Sequence, residues 1–82
     1  LDAFPNPFNA TVRLSYNLPS SGVVHLAIYD LAGRRVALIE DGFVAAGRHT
    51  LMIDAANWSS GIYLARLQAG GEIRVVKIVC VK

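Results

Sequence analysis

The sequence predicts an all-β domain, an antiparallel immunoglobulin- or fibronectin-like sandwich of six to seven strands, on three observations. Apolar side chains recur at every second position, the spacing of a strand face and not of a helical stripe. Clusters of Pro, Gly, Ser, Asn and Asp interrupt the alternation at roughly 8 to 12 residue intervals, as turns between short strands do. Finally, the 82 residues leave room for one core, because chains divide only well beyond ~150 residues. Each run has one apolar face, so two sheets must stack; a small barrel is the alternative closure.

The clearest run places Val12, Leu14, Tyr16 and Leu18 on one face against Arg13, Ser15 and Asn17, and Pro19–Gly22 ends it. A second, Val23 to Asp30, sets Val24, Leu26 and Ile28 against His25, Ala27 and Tyr29, and Ala32 and Gly33 turn it into a hairpin. Arg34 to Glu40 forms the third run, with Asp41 and Gly42 expected to end it and Phe43 and Val44 leading to a turn at Gly47. His49, Leu51 and Ile53 alternate with Thr50, Met52 and Asp54, and Asn57 to Gly61 reads as a loop. The last runs, Ile62 to Gln68 and Ile73 to Val81, flank Ala69-Gly70-Gly71-Glu72, a hairpin turn that needs positive φ. Both faces of the final run are apolar, which predicts a central or doubly covered strand. Phe4 to Asn9 contains two prolines and is expected at an edge or as a lead-in.

Composition narrows the chemistry. A hydrophobic share of 54% with 17% charged residues, against a typical ~25%, excludes a disordered tail. Eight Lys and Arg against six Asp and Glu give +2, too slight an excess to imply nucleic acid. No apolar run approaches the ~20 residues of a membrane span. Cys80 stands alone, so packing and not a disulfide holds the domain, and its apolar strand makes it a small buried hydrophobe. His25, His49 and Cys80 lack the short spacing of a metal site, and no carboxylates are paired for hydrolysis. Asp30 and Asp54 each end a strand, where a carboxylate caps a turn. Gly70 and Gly71 are turn residues, without the Lys and helix of a phosphate loop. Trp58, Tyr16, Tyr29 and Tyr63 serve either core packing or a carbohydrate platform, which would need Trp58 and a Tyr coplanar and exposed. Two glycosylation acceptor patterns, at Asn9 and Asn57, support no function by themselves. The reading is of a chain without cofactor, metal, small-molecule substrate or catalytic residue.

Certain segments, in their order, carry a resemblance: Phe4-Pro5-Asn6-Pro7-Phe8-Asn9, then Tyr29-Asp30-Leu31-Ala32-Gly33-Arg34, Gly47-Arg48-His49 and Asp54, then Ser60-Gly61-Ile62-Tyr63 with Arg66-Leu67, and a closing Lys77 to Lys82. With them the chain resembles, over essentially its whole length, the type A C-terminal sorting domain of the type IX secretion system, which is similar to the immunoglobulin-like domain of the flagellar hook-capping protein. The resemblance implies a noncatalytic signal domain of a longer secreted protein, occupying residues 1–82 behind an N-terminal cargo. The absence of a leader before Leu1 fits such a piece.

The implied partners are the outer-membrane translocon of Bacteroidetes-type bacteria and a sortase-like peptidase that removes the domain. The implied route is export through the periplasm to the cell surface or beyond. Gly61, Tyr63, Lys77 and Lys82 fall in the stretches presented for recognition, while Pro5, Asn6, Pro7 and Asn9 shape the lead-in strand. Trp58 departs from the family's smaller aliphatic residue. The rival expectations are a hook-cap assembly domain and a carbohydrate-binding accessory module. The low charged fraction leaves apolar surface of the kind that packs against cargo or translocon.

Overall fold

A computed structural model describes residues 1–82. It contains seven strands and no helix: β1 (Asp2–Phe4), β2 (Thr11–Leu18), β3 (Gly22–Asp30), β4 (Arg35–Val44), β5 (Gly47–Asp54), β6 (Gly61–Ala69) and β7 (Glu72–Cys80). The expected sandwich is present as a three-stranded sheet, β1-β2-β5, facing a four-stranded sheet, β4-β3-β6-β7, all ladders antiparallel. The chain changes sheets between β2 and β3, β4 and β5, and β5 and β6.

The faces read from the alternation are the faces that are buried. Val12, Leu14, Tyr16 and Leu18 of β2 meet Val24, Leu26 and Ile28 of β3, with Tyr63, Ala65 and Leu67 of β6 and Ile78 and Cys80 of β7. No polar or charged residue is buried among them. Deleting one such aliphatic side chain to Ala costs about 2–5 kcal/mol, so this interlayer supplies the main term against chain entropy.

Both hairpin turns form as their residues require. Gly70 and Gly71, at φ +57° and +76°, make the two-residue turn in which Ala69 pairs with Glu72. At the β3–β4 turn Asp30 Oδ1 accepts the N–H groups of Ala32 and Arg34, each at 2.9 Å, and Oδ2 accepts Arg34 Nε at 3.0 Å. Asp54 likewise accepts the Ala56 N–H at 3.0 Å. The Arg34 backbone N–H is the main influence holding the Asp30 carboxyl below its ordinary value; partial burial opposes it, and the Arg34 guanidinium and the Ala32 N–H add to it.

A carboxyl whose folded value is depressed contributes stability that is complete above the unfolded value of about 4 and is lost as pH falls through the folded value. Asp30→Asn is therefore expected to narrow the difference in melting temperature between pH 7 and the acid range below 4. An unchanged difference would show that the turn carboxylate is not linked to folding.

Two expectations require correction, the end of β4 and the place of β7. β4 does not stop at Glu40 but runs through Asp41 and Gly42 to Val44, because these residues pair in register with His25 to Gly22 of β3, with Gly42 at φ +144°; the two register shifts lie earlier in the strand, between Arg35 and Glu40. The Phe4 to Asn9 stretch lies at edges as expected: Phe4 ends the edge strand β1, Asp2–Phe4, paired with Arg13 to Ser15, and Phe8 bridges the outer side of β7. β7 is neither central nor doubly covered: it is the edge of its sheet, with Ile73 and Val75 about half exposed at 49% and 54%. Its two apolar faces arise because the inner one, with Ile78 and Cys80, joins the core, whereas the outer one carries uncovered β-branched residues.

Candidate functional site

The Pro5–Asn9 segment leaves the three-stranded sheet at β1 and crosses to the outer edge of β7. Two prolines unsuit it to a ladder, and its side chains supply what the backbone lacks. The Asn6 carboxamide acts as a surrogate peptide: Nδ2 donates to the Lys77 carbonyl at 2.8 Å, and Oδ1 accepts the Val79 N–H at 2.9 Å. The backbone then takes over, with Phe8 N–H donating to Val79 O at 2.9 Å and Val81 N–H to Phe8 O at 2.8 Å. Phe8 and Cys80 form a parallel bridge, and both are buried. The Cys80 thiol lies 3.8 Å from the Asn9 carbonyl, in the core environment its strand implied.

The other side of this strand half is the start of β6. Gly61 lies opposite Cys80 and Tyr63 opposite Ile78. Gly61 adopts φ +150°, open only to a residue without Cβ at low cost, as the chain leaves the β5–β6 loop. Tyr63 is buried; its hydroxyl donates to the Ser59 carbonyl at 2.7 Å and its ring lies 4.9 Å from that of Trp58. Trp58 also meets Phe8 edge-on at 6.1 Å and 81°. The indole that departs from the family pattern thus fills the corner between the N-terminal segment and β6.

Lys82 closes the arrangement. Its N–H donates to Ser60 Oγ at 3.0 Å, and its ammonium donates to the carbonyls of Ala55 and Ala56 at 2.8 and 2.9 Å. Ala55, fully buried, is itself fastened by donating its N–H to Ala10 O at 2.7 Å. Every residue singled out from the sequence, Pro5, Asn6, Pro7 and Asn9 with Gly61, Tyr63, Lys77 and Lys82, therefore lies around the last half of β7.

The surface these residues present divides them. Lys77 and Gly61 are exposed, and the Lys77 ammonium has no carboxylate partner. Tyr63 is inside, and Lys82 is turned back onto the loop carbonyls. Nothing in the sequence pointed to Ala55 in this corner; Ser60 appeared only within the resemblance segment and Trp58 only as a departure in size. Trp58 forms no coplanar exposed pair with Tyr16 or Tyr63, since both are buried and its ring is tilted 43° against Tyr63. No group of His, Cys, Asp and Glu is placed to hold a metal ion, and no helix is long and apolar enough to cross a membrane.

The sequence model of the family described as secretion system C-terminal sorting domain matches residues 2–82. No curated protein matches the chain.

Proposed function

The chain belongs to the type IX secretion C-terminal sorting domain family, and we propose that the type IX outer-membrane translocon reads its folded C-terminal corner and that a sortase-like peptidase afterwards removes it from an N-terminal cargo. A sorting signal of this family is generally noncatalytic, and it marks a protein for the cell surface or the extracellular space. Passage through the periplasm belongs to the proposal, as does the extent of the removable unit, residues 1–82. The family match favours neither the hook-cap nor the carbohydrate reading.

The observation that carries the proposal is the convergence of both ends of the chain on one strand half. Asn6 and Phe8 grip Lys77 to Val81 from outside, while Ser60 and the Ala55 and Ala56 carbonyls hold Lys82. A receptor that reads a folded domain needs a fixed surface, because ordering a loose tail on binding costs about 1–2 kcal/mol per residue. In this reading Gly61 and Lys77 offer the contact surface, Tyr63 and Lys82 hold the corner in shape, and Pro5, Asn6, Pro7 and Asn9 form the clamp.

Fusing residues 1–82 to a reporter behind a periplasmic leader, in a bacterium possessing the machinery, is expected to deliver the reporter to the surface or medium. Its retention in the periplasm with the system intact would refute the proposal.

A further inference from the structure

The clamp covers only part of the β7 edge. Its contacts engage Lys77 O, Val79 N and O, and Val81 N, which identifies the odd-numbered residues as those whose backbone faces outward. By the same pleat, the N–H and C=O groups of Ile73 and Val75 and the N–H of Lys77 also point away from β6. No backbone group meets them; the nearest approach is a long 3.4 Å contact from Arg74 Nη1 to Ile73 O. Ile73 and Val75 are β-branched and half exposed beside these open groups.

The other long edges differ. β4 is broken by two register shifts and carries Arg35, Glu40 and Asp41, the bulges and charges that blunt an edge. β5 carries Arg48, Thr50 and Asp54, with Met52 among them, on its exposed face, and no β-branched aliphatic stands there as Ile73 and Val75 do on β7.

Electrostatics states what should lie alongside. Glu72 is occupied by Arg74 at 2.9 Å, and Asp30 by Arg34. Lys77, two residues along β7 from Val75 on the outer face, has no carboxylate partner, and neither has Arg66, which lies opposite Val75 on β6. We infer that the free edge of β7 from Ile73 to Lys77 accepts an added β-strand from a partner protein, an extended segment with an apolar side chain beside Val75 and a carboxylate toward Lys77. The inference rests on the sorting reading only for the partner's place in the export machinery. Main-chain pairing supplies the affinity of such an addition, and alternate side chains its selectivity.

Two measurements test it. The first titrates the domain with a blocked seven-residue peptide alternating valine with glutamate and threonine and follows amide exchange by NMR. Exchange at Ile73, Val75 and Lys77 is expected to slow while Gly47–Asp54 is unchanged; no protection at β7, or protection at β5 instead, overturns the inference. Val75→Pro removes one outward N–H, a position where an edge strand tolerates proline, and should weaken the peptide by ~tenfold. Lys77→Glu leaves the backbone intact and should weaken it through charge; if Val75→Pro fails to fold, this variant decides.

The second compares export of the reporter fusion. Export lost in Val75→Pro, with melting temperature retained, supports the inference, because Val75 has no part in the proposed recognition surface. Export equal to wild type in Val75→Pro overturns it and leaves the sorting reading standing. A wild-type fusion that stays in the periplasm overturns the sorting reading, and the peptide titration then decides strand addition separately.

Discussion

Phe8→Ala is expected to cost about 3–5 kcal/mol of folding stability, a large share of the roughly 5–15 kcal/mol that holds an ordinary small domain. The side chain is almost wholly buried at 2% exposure and meets Trp58 edge-on. Its removal leaves a void between the N-terminal segment and the core. The two backbone bonds at Phe8 survive the substitution in principle, but without the ring nothing anchors the segment that makes them. The amides of Val79 and Val81, which donate to Asn6 and Phe8, should then exchange faster than those of β3. Urea denaturation measures the first effect and hydrogen exchange the second. A loss below about 1 kcal/mol with unchanged protection at Val79 and Val81 would mean the N-terminal segment is not part of the cooperative fold.

Tyr63 carries the second large effect, and two substitutions separate its two contributions. Tyr63→Phe removes the bond to Ser59 O at 2.7 Å and is expected to cost about 0.5–1.5 kcal/mol. Tyr63→Ala also removes the ring from beneath Trp58 and from the core, at about 3–5 kcal/mol. Trp58 is the single tryptophan, so its fluorescence reports the corner directly, and a red shift is expected for Tyr63→Ala and not for Tyr63→Phe. Because Phe8 and Tyr63 flank the same indole, their alanine variants should be less than additive, the first having already loosened the shared neighbour. Full additivity in denaturation would show that Trp58 does not couple the clamp to β6.

These effects concern residues whose roles were unequally legible. Val12 to Leu18 and Val24 to Ile28 announced their strands and buried faces, because a period of two survives any choice of neighbouring strand. Gly70-Gly71 and Asp30 announced their turns, because those contacts are local, from Asp30 to Ala32 and Arg34. Of the segments that carry the resemblance, the structure gathers Phe4–Asn9, Ser60–Tyr63 and Lys77–Lys82 around β7, whereas Gly47–His49 pairs with β2 in the other sheet; the family match over residues 2–82 bears out the family itself. What those segments do to one another was not visible. Asn6 is expected to shape a lead-in strand, yet its carboxamide replaces a missing strand; Lys82 falls in a stretch expected to be presented for recognition, yet its ammonium is bound to two carbonyls. The length of β4 was underestimated because Asp41 and Gly42 are turn formers by composition, a tendency overridden by pairing with His25 and Val24.

From the residues alone came the strands, their apolar faces and the sharp turns, all set by interactions within a few positions. Only the folded chain decided which strands are edges, why β7 is half covered and half open, and which side chains complete its ladder. Alternation records the face a residue turns to the core but not its lateral neighbour. That neighbour is chosen by hydrogen bonds between segments such as Asn6 and Lys77, separated by 71 positions.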